Sequence, residues 1–570
     1  MNIIQWILCG SFSFISSMYY RSFQNDVKNA EEVNREVLMK ILDMNKESEY
    51  GQKYNFKDIK GIEDFRKTVP ITSYSDYTEY IKKITRGEKN ILTCEAVEFF
   101  GLSSGTTGNQ KYIPVTSKAR SITNNYMNFL SKGILSHIKK NTKKDGKGLF
   151  LINISKPSVI MPCGIPAGAG TSEGIKKLKS IFPYIWTSPI EVLEIPNQQT
   201  ANYLHLLFAL REKGLFFIMA PFCSTIVQMF GVLEGECSQL VKDISSGRIS
   251  GHIKIDMETR ILLEKKLKPD PTRAEELKRQ FLKGMKGIVG RIWPEISYIG
   301  CVAGGSFNIY VDKLKYFIGE IPIYSAVYGS TESLVGMAIK FNNMSYVIIP
   351  KAAYFEFIPV NQIEFKKPIA FGIDKLKIGE SYEVVITNYS GFYRYRLGDI
   401  VKVVDYYYKS PIIEFLYRKG QILNIAAEKT QESAVQYALM EAKKKWNSHL
   451  VDYTVTHDLS SPVGCYCFYV EVGNPDLFMN NLERNRDALE KALGEANPRY
   501  LAGIKANRIA PLKLKVVRTG TFQRLKNQLS KGGTSINQLK IPRVIKDRKL
   551  ILLLEQSIEK DRNTTGKKAI

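Results

Sequence analysis

Residues 100–114 read Phe-Gly-Leu-Ser-Ser-Gly-Thr-Thr-Gly-Asn-Gln-Lys-Tyr-Ile-Pro. Four hydroxyl side chains (Ser103, Ser104, Thr106, Thr107) and two glycines (Gly105, Gly108) stand just ahead of Lys111. Glycine lets backbone N–H groups approach an anion closely; the hydroxyls add short donors and the lysine a mobile positive charge. Such a set can cradle the phosphates of a nucleotide. It is not the Walker loop, in which Gly-Lys is followed at once by Ser or Thr at a helix start. Here Lys111 comes three residues after the last glycine and precedes Tyr-Ile-Pro. The same composition describes a polar turn between two strands, so the loop needs partners elsewhere in the chain.

Two segments supply them. Tyr-Gly-Ser-Thr-Glu at 328–332 follows an apolar run, and Gly-Phe-Tyr-Arg-Tyr-Arg-Leu-Gly-Asp at 391–399 is β-rich and ends on an acid. In this order the three segments resemble the adenylate-forming enzymes, and more specifically the GH3 family of acyl-acid amido synthetases. Gln421–Asn424 with Glu428-Lys429-Thr430, Gly520-Thr521-Phe522 and Gln538–Arg543 match later stretches of that family. The resemblance runs from about Val69 to Arg543.

The resemblance implies an ATP-dependent ligase. A carboxylic acid is activated as acyl-AMP, pyrophosphate leaves, and an amino acid takes the acyl group as an amide; an acyl-CoA ligase and a non-catalytic binding protein of the same fold are the alternatives. Two anions must meet, so bound cations and pre-aimed donors are needed. By resemblance Ser103, Ser104, Gly105, Thr106, Thr107, Gly108 and Lys111 hold the β- and γ-phosphates, although this loop is one residue shorter than the plant form Ser-Ser-Gly-Thr-Ser-x-Gly-x-x-Lys. Tyr328 and Gly304 lie at the adenine, Ser330 and Thr331 at the α-phosphate, and Asp399 at the ribose, with Arg418 also at the nucleotide. Glu332 is the implied Mg²⁺ ligand, a hard oxygen donor suited to that ion; a helix N-terminal acid is its structural alternative. Lys429 and Lys540 are the implied catalytic lysines, serving different states of a mobile small domain. Tyr126, Met127 and Leu130, one turn apart on the helix after the loop, line the acid pocket, and their apolar character favours a hydrophobic acid.

The bulk properties agree with an enzyme of two domains. At 570 residues the chain exceeds one compact core. Its 44% hydrophobic and 24% charged residues describe an ordinary globular protein, and the net charge of +25 attracts anions. No basic stripe interleaved with stacking aromatics points to specific nucleic-acid binding. Eight dispersed cysteines suit a reducing cytoplasm rather than a disulfide framework. Residues 3–20 carry no charged side chain. This reads as a first helix packed on the large domain, with weak membrane association through residues 1–20 left open.

The elements that must position these residues follow from spacing. A helix is expected over 29–49, another over 75–86, a strand into the phosphate loop, and a helix capped by Ser117 running to Leu130. Leu149–Ile154 and Leu215–Ala220 read as buried strands, 157–171 as loop, 222–234 as helix, and 256–287 as exposed helices broken at Pro269-Asp270-Pro271. Short strands from 344 to 415 suggest a β-meander or barrel. The fold class is therefore α/β, and the resemblance implies the arrangement: a large N-terminal domain (1–417) of α/β sheets plus a β-barrel, and a small C-terminal α+β cap (418–557). The cap is expected as helix 430–445, strands 451–457 and 464–472, helix 474–494, strand 512–518 and helix 521–530. Residues 558–570 read as a disordered tail.

Overall fold

The computed structural model describes residues 3–103, 111–138, 146–154, 159–168, 182–304, 307, 310–419, 422–423, 425, 428, 430–460, 463–506, 508–530 and 539–559. The tail read as disordered lies almost wholly outside them, as do Ser104–Gln110 and Lys429. The chain forms two compact units, one of residues 1–103 and 111–415, the other of 416–532 and 539–570.

In the first unit the apolar runs without alternation become a four-stranded parallel sheet, in the order Gly148–Phe150, Phe217–Phe222, Tyr298–Val302, Ile323–Tyr324. Continuous apolar strands suit it because helices cover such a sheet. The Gln198–Arg211 and Cys223–Ser246 helices share its buried core. The second of these runs twelve residues past the expected end, because Leu240 and Ile244 continue its buried stripe. The strand expected over 149–154 stops at Phe150. Leu151–Ile154 stay buried but bond irregularly, Leu151 N–H to Met219 O and Ile154 N–H to Leu193 O.

A second sheet has the order Lys111–Thr116, Val97–Ser103, Pro166–Gly168, Val159–Ile160. Its last two strands fall in the segment expected to be loop, where Ala167 pairs in parallel with Phe100. The short strands expected after residue 344 form a seven-stranded sheet that begins with the 327–337 hairpin and ends at Tyr354–Pro359.

The helix after the Ser/Thr/Gly loop is capped by Thr116, not Ser117: the Thr116 hydroxyl accepts the Ala119 N–H at 3.3 Å. It passes through a π-helical turn at Tyr126–Leu130 and continues as Ser131–Ile138, beyond the expected end. The first helix, Ile3–Lys28, lies against it. Phe12 meets Phe129 at 5.1 Å, and a β-carbon at Gly133 would sit 2.4 Å from Ser16 O. Among the described residues no helix is long and apolar enough to cross a membrane.

The second unit is built on the sheet Leu450–Asp458, Cys465–Val472, Lys513–Val516. Cys465 and Cys467 are both buried in its central strand. The helix expected over 474–494 is two, Pro475–Met479 and Leu482–Ala496. Two further helices, Pro498–Lys505 and Arg548–Glu555, had no sequence expectation. The first of them was legible, since Asn497 caps it with Pro498 at its first position.

Candidate active site

The Ser/Thr/Gly loop springs from an antiparallel ladder in which Ser103 faces Lys111 directly. Lys111 therefore stands on a strand at the base of the loop, not at a helix start. The residues between, which include Ser104, Gly105, Thr106, Thr107 and Gly108, lie outside the described residues. Two positions before the loop, Gly101 has a clear reason to be glycine: a β-carbon there would lie 2.5 Å from Thr331 Cγ2. The loop strand and the Ser-Thr-Glu turn, 230 residues apart in sequence, are thus in van der Waals contact.

That turn closes the hairpin of Val327–Gly329 and Leu334–Met337. Ser330 N–H donates to Ser333 O at 2.9 Å, and the Ser330 hydroxyl accepts the N–H groups of Glu332 (3.2 Å) and Ser333 (3.3 Å). Glu332 therefore sits in a hairpin turn, and the alternative of an acid at a helix N-terminus does not hold. Its carboxylate accepts the Tyr395 hydroxyl at 3.4 Å, and its carbonyl accepts Asn388 Nδ2 at 2.7 Å.

Asp399 arrives by a distortion of the Tyr395–Tyr407 strand. Ile400 pairs with Glu383 and Arg396 with Val385, so three residues face the single Val384. Gly398 at the centre has φ of +76°, the left-handed region that favours glycine. Such a bulge re-aims neighbouring side chains. The buried Asp399 carboxylate accepts the Tyr328 hydroxyl at 2.9 Å, and the Tyr328 ring lies 5.6 Å from Tyr346 and 5.9 Å from Phe415. Asp399 is thus a strand residue whose side chain is aimed by the bulge.

Other expected positions are less gathered. At Gly304 a β-carbon would meet Met344 Cγ at 3.0 Å, so a side chain there would have to displace Met344. Along the π turn Leu130 is fully buried in the core, whereas Met127 is 43% exposed. The three residues assigned to the acid pocket do not form one surface. Tyr126 lies between: burial pushes its phenol pKa up, with Asp26, Tyr389 and Tyr19 adding to the rise.

In the second unit Lys540 is exposed, three residues before Arg543. Arg543 pairs with buried Asp452 and donates to Tyr453 O at 2.7 Å. Burial raises the Glu432 pKa, and the charges of Arg543, Lys540 and Arg418 oppose the rise. The residues flanking Lys429 are tied down. Tyr466 donates to the Glu428 carboxylate, and Asn497 Nδ2 reaches Glu428 O at 3.2 Å and Thr430 Oγ1 at 2.8 Å.

Sequence reasoning gave no role to Gly101, Asn388 or Tyr395, although all three touch the Ser-Thr-Glu turn. Tyr395 lies within the 391–399 motif. Gly101 carried a signal of its own, since a glycine inside a strand marks a close approach.

The GH3 family N-terminal domain matches residues 19–323, its central domain residues 346–418 and its C-terminal domain residues 433–549. The chain belongs to the GH3 family. It is 31% identical to the 4-substituted benzoates–glutamate ligase GH3.12 of Arabidopsis thaliana, over 95% of this chain and 98% of that one. It is also 31% identical to the jasmonoyl–L-amino acid synthetase JAR6 of Nicotiana attenuata, over 94% and 95%. Among solved structures it is similar to the GH3.15 acyl acid amido synthetase, with a TM-score of 0.84 at 27% identity, covering 95% of this chain and 96% of that one.

Proposed function

We infer that this GH3 chain is an ATP-dependent ligase that joins a carboxylic acid to an amino acid through an acyl-AMP. The observation that carries the reading is the convergence in the first unit of three distant segments: Gly101 on Thr331, Tyr395 on Glu332, and Tyr328 on Asp399. Relatives that link benzoates to glutamate or jasmonate to amino acids support the reaction class. The acids they name differ, so the family leaves the acid of this chain open.

In the first step a carboxylate oxygen bonds the α-phosphorus of ATP and the bond to pyrophosphate breaks. In the second an amine nitrogen bonds the acyl carbon and AMP leaves. The 103–108 loop and Lys111 are assigned to the β- and γ-phosphates. Ser330 accepts two backbone N–H groups, so its own O–H is the group it can offer an α-phosphate oxygen. Asp399, braced by Tyr328, is assigned to the ribose, and Arg418 and Gly304 to the nucleotide's edge. Glu332 fits Mg²⁺: its carboxylate stands in the same turn as Ser330 and Thr331, held by one long bond from Tyr395 at 3.4 Å, and this ion commonly takes one or two carboxylates plus phosphates and water. When bound it would neutralise phosphate charge. Lys429 and Lys540, within residues 418–557, are assigned to the charge that develops at the α-phosphate. Residues 1–417 are assigned to ATP and the acid, with Tyr126 and Met127 facing the acid and Leu130 seating their helix.

The test is acid-dependent ATP–pyrophosphate exchange across a broad acid panel, followed by offering amino acids or coenzyme A to the accumulated adenylate. Mass detection of an amide is expected. Absence of exchange with every acid would overturn the reading, and a thioester in place of an amide would make the chain an acyl-CoA ligase.

A further inference from the structure

Tyr74 opens the Tyr74–Thr85 helix, outside every motif the function uses. Its position is locked from below: the Asp76 carboxylate accepts the Ser73 N–H at 2.7 Å and the Ser73 hydroxyl at 2.9 Å. From there the Tyr74 hydroxyl accepts the Tyr112 N–H at 2.9 Å and donates to the Tyr112 carbonyl at 3.2 Å. Lys111–Thr116 is the edge strand of its sheet. An edge residue whose N–H and C=O both point outward has no neighbouring strand to satisfy them. One phenol does so here, at the second residue after the phosphate loop. The same ring lies under the loop lysine, with Lys111 Nζ 5.1 Å from its centroid. An ammonium at that distance is attracted by the ring face. Burial raises the Tyr74 pKa, and the Glu332 carboxylate pushes it the same way, which places the implied metal ligand within electrostatic range.

We propose that Tyr74 is a positioning residue for Lys111, fixing both the strand that carries the lysine and the direction of its ammonium. The hydroxyl sets the backbone at Tyr112 and the ring face sets the side chain. The lysine then meets incoming phosphate without first losing the rotamer freedom of a long, flexible side chain. This rests on the assignment of the 103–111 segment to ATP.

The experiment is calorimetric titration of the full chain with α,β-methylene-ATP and Mg²⁺, for wild type, Tyr74→Leu, Tyr74→Phe, Lys111→Met and the Tyr74→Leu/Lys111→Met double variant. Tyr74→Leu is expected to weaken binding about three- to tenfold, with unchanged stoichiometry. Tyr74→Phe, which keeps the ring, is expected to lose less. In the double variant the Tyr74 substitution adds nothing to the loss from Lys111→Met. A partly misfolded variant would lower the stoichiometry and leave the affinity of the folded fraction alone, so the two are told apart; for a Tyr74→Leu chain that does not fold, Tyr74→Phe in the two Lys111 backgrounds carries the same comparison. Losses that multiply in the double variant, or wild-type affinity in Tyr74→Leu, overturn the proposal. Wild type that fails to bind the analogue overturns the nucleotide assignment and this proposal together.

Discussion

Replacing Gly101 with alanine probes the contact that joins the loop strand to the Ser-Thr-Glu turn. The added methyl would stand 2.5 Å from Thr331 Cγ2, while its next neighbours, Ile113 O at 3.7 Å and Val115 Cγ2 at 3.8 Å, are at ordinary contact. Carbon atoms pack at about 3.5–4 Å, so one side must move by about an ångström. Gly101 is paired with Ile113 in a regular ladder and its backbone does not adopt positive φ, so alanine suits the local conformation. Without the clash the substitution would stabilise by about 0.4–1 kcal/mol through the unfolded chain. Overpacking costs about 1–3 kcal/mol; subtracting the gain leaves a net loss of up to about 2.6 kcal/mol, about 1.3 at mid-range, and a displaced turn. The assay is urea unfolding beside pyrophosphate exchange at varied ATP. Gly101→Ala should lower the midpoint and raise the KM for ATP, and adding Thr331→Ser, which deletes Cγ2 and keeps the hydroxyl, should restore both. A Gly101→Ala chain as stable as wild type, or no rescue by Thr331→Ser, would refute the reasoning.

Three more outcomes are expected. His205 is fully buried with Nδ1 on the Ser188 hydroxyl at 2.7 Å, and burial lowers its pKa to about 3. Its folded pKa is below its unfolded one, so its contribution is complete above about pH 6.5 and is lost as pH falls towards 3, on the order of 5 kcal/mol in all. His205→Gln should flatten acid unfolding in that window, and an unchanged profile would contradict this. Arg394, held at φ of +48°, donates to the buried Glu356 carboxylate at 3.0 Å and to the carbonyls of Arg66 and Val69. Arg394→Met should cost about 3–5 kcal/mol, as breaking a buried pair does; a loss below 1 kcal/mol in chemical denaturation would show that Arg66, whose Nε also donates to Glu356 at 3.1 Å, suffices as its partner. Glu332→Gln should raise the Mg²⁺ concentration for half-maximal exchange by about tenfold or more, and an unshifted Mg²⁺ titration would remove Glu332 from the metal's ligands.

Local chemistry made much of this protein readable from its sequence. Unbroken apolar runs become the parallel sheet, Pro269-Asp270-Pro271 parts two helices as expected, and the Ser/Thr/Gly cluster sits between paired strands. These features depend on residues near one another in the chain, whose dihedral preferences and periodicity carry the information. Element ends were less legible. A helix goes on for as long as its buried stripe finds a partner, as Cys223–Ser246 does, and Thr116 outcompetes Ser117 as a cap because its hydroxyl faces Ala119 N–H.

The motifs named the candidate chemistry, and tertiary structure decided how its parts are held. Whether Glu332 lies in a hairpin or at a helix start depends on Leu334 pairing with Gly329. Whether Asp399 belongs to a turn or a strand depends on the bulge that Gly398 opens against Val384. Gly101 is explained by a methyl 230 positions away, and Tyr74 by a backbone it meets across 38. Such contacts join residues with no local signal in common, and only the packed chain brings them within reach of dispersion forces and hydrogen bonds. The sequence therefore named an adenylation chemistry, and the fold chose the residues that brace it.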